Sequence, residues 1–249
     1  GSEKLFKITG LTQEPIFAIN KMLWLKEKEP EIYEKSSKWV IIANYIAWKL
    51  SGEQVTDYSL ACRTLAFDLQ KLKWSKEIIE ELDLKKSFFP EVRPTGSKLN
   101  YVKDDASRQT GLSTDCIVGV GGHDHPLSAL ITGAIKYGVM SNSIGTAECL
   151  LTGIEKPSFD LRLIDLGFAE HVIVSSDRQY YYLFGSIWTT SASIDWIKNI
   201  VAGKESFSEI INKVKAIPSG ANGVNFFPHL RFGSPPNPVQ NSRGAFTGL

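Results

Sequence analysis

A short apolar segment that ends in paired glycines constrains the fold of this chain more than any other feature. Residues 116–120 are apolar, Gly121 and Gly122 follow, and Asp124 stands just before a small-residue helix pattern that begins after Pro126. This order predicts a strand, a tight turn and a helix, which is typical of α/β proteins. Ligands of such proteins gather at the carboxyl ends of strands, where the glycines leave room for a substrate. The segment therefore predicts a carboxylate held at the mouth of a helix.

A second glycine turn further along the chain is placed to face this carboxylate. Gly145 and Thr146 lie between two predicted strands, 139–143 and 148–153. The turn is compatible with a plain hairpin, but its backbone N–H groups and its hydroxyl also suit phosphate oxygens. A carboxylate opposite a glycine turn is what transfer of a phosphoryl group to a hydroxyl needs, because the carboxylate takes the hydroxyl proton.

Asp124 also has two other interpretations. The first is an N-cap for the helix that begins near Pro126, which requires no ligand. The second is a metal site made of His123, Asp124 and His125, because His and Asp are good ligands for zinc or iron. Adjacent residues in a strand point to opposite faces, which disfavours convergence of all three on one ion. As a proton acceptor, Asp124 is expected to gain basicity from partial burial.

A hydroxyl-rich segment, residues 185–196, begins another predicted helix. Its serines and threonines suit a capping segment. The N-terminus of a helix also attracts anions, so the same residues suit a position beside phosphates. The sequence alone is compatible with both interpretations.

Composition excludes some classes of partner. The chain has 249 residues, a net charge of +1, 43 % apolar residues and 22 % charged residues, which is ordinary for a globular protein. The near-neutral charge does not indicate a nucleic-acid or membrane surface, and no apolar run approaches the roughly 20 residues of a membrane span. Cys62, Cys116 and Cys149 are scattered and odd in number, which predicts buried free thiols and a cytoplasmic protein.

The first part of the chain is predicted to be mainly helical, and the second part to contain strands followed by helices. Apolar periodicity places these elements, together with an N-cap at Ser75, helix ends at Gly52 and Gly111, and a hairpin turn at Ser176 and Asp177. The predicted helices are 12–25, 37–50, 75–82, 104–111, 191–201 and 206–214. The further predicted strands are 161–168, 171–175, 180–185 and 224–227, and residues 231–243 are predicted to be loop.

Several segments, taken in order, resemble the signatures of the FGGY carbohydrate kinases, the family of xylulokinase, gluconokinase and glycerol kinase. They are 21–25 (KMLWL), 56–64 (TDYSLACRT), 122–124 (GHD), 144–146 (IGT), and 227–230 (FPHL) with 243–249 (RGAFTGL). Each segment is modest alone, but their order and spacing along nearly the whole chain make the resemblance specific.

The resemblance implies an α/β fold of the actin-like (ribonuclease-H-like) two-domain type, with a cleft between the domains. Residues 1–137 would be the latter part of the N-terminal domain, which binds sugar and carries the catalytic aspartate. Residues 138–249 would be the first part of the nucleotide-binding C-terminal domain. The family's first phosphate loop is expected before residue 1 and its adenosine-binding glycine motif after residue 249, so the fold is expected to be incomplete at both ends.

The resemblance also implies roles for residues on the sugar side. Asp124 would be the general base that deprotonates the sugar hydroxyl, with Gly122 beside it. His125 stands where relatives have Asn or Gln in contact with the sugar. Phe17 is expected where glycerol kinases have a substrate-contacting Tyr, which argues against glycerol as the substrate.

On the nucleotide side, the resemblance implies ATP as cosubstrate and Mg²⁺ as its metal, with no metal held by the protein alone. Gly145 and Thr146 match the second phosphate motif. Ser191 and Asp195 fall where glycerol kinases have Gly and Gln at the nucleotide.

The expected function is ATP-dependent phosphorylation of a small sugar, sugar acid or polyol, with a xylulose-like ketose as the first candidate. One alternative is a catalytically silent fragment that only binds sugar or serves a structural role. The other is a metal-dependent hydrolase that uses His123, Asp124 and His125. Because family members are often dimers, a homodimer is one expected assembly, and no nucleic-acid or membrane partner is expected.

Overall fold

The computed structural model describes residues 1–231, 233–236, 238–239 and 241–249. Short helices and paired strands form the first part of the chain, and one larger sheet organises the second part. The helices are α1 (Ser2–Thr9), α2 (Ala18–Lys28), α3 (Pro30–Lys35), α4 (Ile42–Ser51), α5 (Tyr58–Ala61), α6 (Lys76–Glu81), α7 (Asp104–Thr110), α8 (Asp124–Thr132), α9 (Arg162–Leu166), α10 (Thr190–Val201) and α11 (Phe207–Val214). The strands are β1 (Val55–Asp57), β2 (Phe67–Asp68), β3 (Lys73–Trp74), β4 (Glu91–Arg93), β5 (Lys98–Tyr101), β6 (Ile117–Gly119), β7 (Ser141–Ile144), β8 (Glu148–Ile154), β9 (Ala169–Val174), β10 (Gln179–Ile187), β11 (Asn225–Phe227) and β12 (Ala245–Thr247).

The larger sheet is antiparallel and has the strand order β7-β8-β10-β9. Ala129 of α8 and Ile135 after it pack against Leu151, Tyr182 and Phe184 of this sheet. The helix that begins at Asp124 therefore lies against the sheet, and its packing brings the start of α8 close to β10.

The edge strand β9 also joins the sheet to the first part of the chain. The amide of Glu170 donates to the carbonyl of Gly10, and the amide of Thr95 donates to the carbonyl of Val174, both at 2.8 Å. Val172 is fully buried in one cluster with Cys62 and other residues of the first part. The division after residue 137 thus crosses a region of close contact, and the domain boundary stays a prediction.

Several locally encoded features are confirmed. Ser75 caps α6 by accepting a hydrogen bond from the amide of Ile78 at 3.3 Å. Gly111 ends α7 in the left-handed conformation, with φ of 76°. Gly10 and Gly52 end their helices in the same way, with φ of 71° and 85°. The amide of Ser175 donates to the carbonyl of Arg178 at 2.8 Å and closes the β9–β10 hairpin. Each of these features depends on residues close together in sequence.

The limits of two predicted helices are wrong. The helix predicted at 12–25 begins only at Ala18, because the Thr12 hydroxyl bonds to Glu14 at 3.1 Å and Pro15 lies in a turn. The helix predicted at 37–50 begins at Ile42 and ends before Gly52. The short helices α1 and α3 were not predicted.

The strand predicted at 161–168 is wrong, because this segment contains helix α9. The carboxylate of Asp160 accepts a hydrogen bond from the amide of Arg162 at 3.0 Å, which satisfies an amide at the helix start. Gly167 ends the helix with φ of 72°. A short apolar run does not distinguish a strand from a helix. Here the flanking residues Asp160 and Gly167 favour the helix.

The cysteines are free thiols, as predicted, but their burial differs. Cys62 is fully buried, Cys149 is half-buried and Cys116 is exposed. The prediction of a buried thiol is therefore wrong for Cys116. It precedes β6, which pairs only with β5 in a two-stranded sheet, so one side of the segment faces solvent.

The predicted loop at 231–243 contains neither helix nor strand in its described residues, and positions 232, 237 and 240 lie outside the described residues. Across the described ranges, every helix is too short or too polar to cross a membrane.

Candidate active site

Asp124 is the first residue of α8, directly after the loop that follows β6. His123 occupies the N-cap position and makes no side-chain cap, so the interpretation of Asp124 as an N-cap is wrong. The Asp124 side chain is 86 % exposed, which contradicts the expected partial burial. A carboxylate in the first turn is stabilised by the helix dipole, and its exposure leaves it accessible to a substrate.

His123 lies behind the carboxylate and is electrically neutral at neutral pH. Burial, and next the positive charge of Arg63, lower the pKa of His123 to about 3, although Asp124 acts in the opposite direction. The imidazole Nε2 lies 3.5 Å from Asp124 Oδ1. Since the imidazole is neutral, it places no positive charge next to the Asp124 carboxylate.

The main chain before Asp124 rests on residues of α5. The amide of His123 donates to Ser59 Oγ at 2.8 Å, and Ser59 Oγ donates to Asp57 Oδ2 at 2.6 Å. A Cβ at Gly122 would lie 3.0 Å from Ser59 Oγ and 3.1 Å from Asp57 Oδ2. Burial raises the pKa of the Asp57 carboxyl, and its hydrogen bonds oppose that rise. Segment 56–64 is part of the family resemblance, but the resemblance assigned no role to Asp57 or Ser59.

Arg63 was also missed, and it lies between two aromatic rings beside this loop. Its guanidinium carbon is 5.9 Å from the ring centre of Phe17 and 5.2 Å from that of Phe184. Phe184 in turn lies 6.0 Å from the ring of His123 and 6.1 Å from that of His125. Phe184 therefore connects the half-buried His125, beside the carboxylate, with the buried Phe17.

A cavity of about 640 Å³ opens next to these rings. Phe17, Arg63, Phe184 and Ser186 lie in its wall together with His171. His171 is 1 % exposed, burial holds its pKa well below the ordinary value, and its Nε2 has no hydrogen-bond partner among the described residues. The cavity wall therefore combines the Arg63 cation, the Glu14 carboxylate and the neutral His171 imidazole with apolar and polar side chains, a mixture that suits a small-molecule site.

Gly145 and Thr146 form the connection between β7 and β8, with Ile144 opposite Glu148. The amide of Ser191 donates to the Gly145 carbonyl at 3.3 Å, and the amide of Ala192 donates to the Thr146 carbonyl at 3.4 Å. The structure thus brings Gly145, Thr146 and Ser191 together. These two amides of α10 are therefore already bonded to the turn, and the position of the helix start beside phosphates stays a prediction.

The side chains near this turn differ in their exposure to solvent. Thr146 is exposed, and Ser191 is half-buried. Glu148 accepts hydrogen bonds from Asn142 at 2.7 Å and from Thr190 at 3.2 Å, which ties the hairpin to the start of α10. Asp195 is exposed on the next turn of α10 and takes no part in these contacts.

The arrangement of histidines does not favour the metal-hydrolase interpretation. The rings of His123 and His125 lie 5.6 Å apart at an angle of 71°, and His123 Nδ1 is buried. In the part of the chain that the structure describes, His, Cys, Asp and Glu side chains form no group of three that could hold a metal ion.

Residues 1–131 match a family model described as the FGGY family of carbohydrate kinases, N-terminal domain. The xylulose kinase of Bacillus subtilis is 28 % identical over 233 residues, which cover 94 % of this chain and 46 % of that protein. The chain therefore spans about half the length of the curated relatives it matches.

Solved structures give the same result for the fold. A ligand-bound xylulose kinase from Lactobacillus acidophilus matches with a TM-score of 0.87 and 26 % identity, covering 100 % of this chain and 49 % of that one. A gluconate kinase from the same organism matches with a TM-score of 0.84 and 25 % identity over the same shares. The expected fold class, the α/β actin-like fold of sugar kinases, is confirmed for the part that this chain spans.

Proposed function

We propose a function from one premise, which is that the chain belongs to the FGGY family of carbohydrate kinases. The whole protein transfers the γ-phosphoryl group of ATP to a hydroxyl of a small sugar, sugar acid or polyol. The observation that carries this proposal is the exposed carboxylate of Asp124 at the start of α8. Its neighbours His123 and His125 lie 6.0 and 6.1 Å from the ring of Phe184, which is part of the cavity wall. Asp124 is the general base.

The chemistry assigned to Asp124 is a single proton transfer. The sugar hydroxyl gives its proton to the carboxylate while its oxygen bonds to the γ-phosphorus, and the bond from that phosphorus to the bridging oxygen breaks to release ADP. A neutral His123 supports this role, because a charged imidazole at 3.5 Å would weaken the carboxylate as a base. Bound substrate supplies the exclusion of water that the exposed carboxylate lacks on its own.

On the sugar side, the proposed site combines Gly122 and His125 with Phe17, which lies in the cavity wall. A volume of about 640 Å³ falls in the range of small-molecule pockets. A xylulose-like ketose is our first candidate, supported by the names of the similar xylulose kinases. A thermal-shift screen of the whole protein against pentuloses, hexuloses, gluconate and glycerol discriminates among the candidates.

The nucleotide side of the proposed site consists of Gly145, Thr146, Ser191 and Asp195. The exposed Thr146 hydroxyl suits a phosphate oxygen, whereas the first α10 amides are engaged by the turn. Mg²⁺ is expected with ATP and neutralises charge on the phosphates. A cation of this kind is bound mainly by substrate phosphates and water, with one or two carboxylates.

The decisive experiment replaces the base. Asp124→Asn in the whole protein is expected to lower kcat by at least about 100-fold, the lower range for a lost general base, with unchanged thermal stability. Asp104→Asn is the matched control, because Asp104 is likewise an exposed first residue of a short helix. Equal kcat values for Asp124→Asn and the wild type would overturn the proposal.

A second candidate concerns these 249 residues by themselves. The chain spans 46 % of the similar xylulose kinase of Bacillus subtilis and 49 % of that of Lactobacillus acidophilus. The candidate is a sugar-binding or structural unit without turnover of its own. ATP-dependent phosphorylation by the isolated chain in a coupled assay would refute this candidate. Cytoplasmic location and homodimer formation stay predictions, which fractionation and sedimentation of the whole protein would test.

A further inference from the structure

We propose that Ser59, held by Asp57, is a positioning residue that fixes the main chain of the loop carrying Asp124. The importance of Ser59 for catalysis rests on the proposed function. The hydrogen bond between Ser59 and the His123 amide is independent of that function. The contact joins residues 64 positions apart in sequence. It links the helix start at α5 to the loop between β6 and α8.

Asp57 holds the Ser59 side chain in place. Its side chain is fully buried and accepts hydrogen bonds from four donors. Two are the amides of Ser59 and Leu60, at 2.9 and 3.1 Å, which make Asp57 the N-cap of α5. The others are the hydroxyls of Ser59 and Thr95, at 2.6 and 2.8 Å. A buried carboxylate with this many donors is held in one orientation.

The direction of the Ser59 hydroxyl follows from its partners. A hydroxyl has one proton, and the proton of Ser59 is directed to Asp57 Oδ2. The lone pairs of Ser59 Oγ are then available to accept the amide of His123, 2.8 Å away. Because Ser59 is fully buried, water does not compete for this bond. The carboxylate therefore orients the hydroxyl, and the hydroxyl anchors the residue before Asp124.

The two glycines of the loop differ in a way that agrees with this role. A Cβ at Gly122 would lie 3.0 to 3.2 Å from Ser59 Oγ, Asp57 Oδ2 and Leu127 Cδ1. A Cβ at Gly121 would have no atom within 4 Å. The loop thus lies directly on the Asp57–Ser59 pair at Gly122, and the amide of the next residue makes the hydrogen bond.

This contact matters for a general base because Asp124 has little else to hold it. Its exposed side chain contacts only His123 among the bonds and ion pairs described above. The position of the carboxylate is therefore set by its main chain. A displacement of about 1 Å at a reacting group can cost on the order of 100-fold in rate, so loss of the anchor is expected to lower kcat.

The kinetic test compares two buried serines in the whole protein. Ser59→Ala removes the acceptor for the His123 amide. Ser75→Ala is the matched control, because Ser75 is 5 % exposed and also accepts a main-chain amide, but at α6. Both variants are expected to lose thermal stability, and only Ser59→Ala is expected to lose about 10- to 100-fold in kcat, with the KM for ATP little changed. Equal kcat for the two variants below their melting temperatures would overturn the positioning role.

A second measurement tests the contact without any kinase assay. Amide hydrogen exchange of His123 in this chain is expected to be at least about tenfold slower than for an unbonded amide, and Ser59→Ala is expected to remove that protection. Unprotected exchange in the wild-type chain would overturn the contact itself, even if Ser59→Ala did not fold. Protection of His123 together with full activity of Asp124→Asn would instead refute the proposed function and leave the contact intact.

Discussion

The amide nitrogen of Ser191 lies 3.3 Å from the carbonyl oxygen of Gly145. With the parallel bond from Ala192 to the Thr146 carbonyl, it joins the start of α10 to the β7–β8 turn. The turn uses its carbonyls to satisfy helix amides that would otherwise lack a partner. The Thr146 side chain is exposed, and its hydroxyl is the group that we propose for contact with a nucleotide phosphate.

Thr146→Ala is therefore expected to weaken the use of ATP and not the fold. A hydrogen bond to a charged group contributes about 1.5–3 kcal/mol, so kcat/KM for ATP in the whole protein is expected to fall by roughly 10- to 100-fold. Ser143→Ala is the control, because Ser143 is an exposed hydroxyl in the same hairpin. Steady-state kinetics with ATP as the varied substrate measure both variants, and equal values would remove Thr146 from the site.

The glycine pair before Asp124 yields a second prediction. Gly122→Ala places a methyl group against Ser59, Asp57 and Leu127, and overpacking of this kind costs about 1–3 kcal/mol. We expect a lower free energy of unfolding in this chain and a lower kcat in the whole protein. Gly121→Ala is expected to retain both, because its Cβ meets open space. Denaturant unfolding and kinetics of the two variants measure the difference, and equal losses would contradict it.

The fold was predictable from sequence where the deciding interactions are local. Ser75, Gly111 and the 175–178 hairpin act on residues a few positions away, and the structure confirms all three. Segment 161–168 shows the limit of this approach. Its apolar residues suggested a strand, whereas Asp160 and Gly167 determine a helix.

The sequence suggested the chemical groups of the proposed site, but it did not indicate which residues support them. The order of Gly122, Asp124 and Thr146 along the chain indicated the chemistry through family resemblance. No local signal pairs Ser59 with His123, because 64 positions separate them and the packing of α5 under the loop brings them together. Likewise, the contact of Arg63 with Phe184 depends on how β10 packs against the first part of the chain.

The three cysteines are expected to react at different rates with a thiol reagent. The thiolate is the reactive form, and burial raises the pKa of Cys62 to about 12. Cys116 is exposed and Cys149 is half-buried. Native protein at pH 8 should show one fast thiol, which Cys116→Ser removes, and Cys62 should react only after unfolding. Mass spectrometry of the labelled peptides identifies each site, and fast labelling of Cys62 would contradict its burial.

Acid is expected to destabilise the chain through its buried histidines. In the unfolded chain a histidine binds a proton near pH 6.5, but in the folded chain the pKa of His123 is about 3 and that of His171 is also well below its ordinary value. Between these limits the unfolded state binds more protons, so the free energy of unfolding falls as the pH is lowered. For His123 the loss between pH 7 and pH 4 amounts to about 3 kcal/mol.

Urea unfolding of the chain at several pH values between 7 and 4 measures this dependence. Exposed carboxylates in ion pairs also weaken in acid, so the comparison that isolates the histidine is between the wild type and His123→Gln. The variant is expected to lose less stability over this interval, because it has no imidazole for the unfolded state to protonate. An identical slope in both proteins would show that His123 titrates alike in the folded and unfolded states, which would also remove the argument that no positive charge lies next to the Asp124 carboxylate.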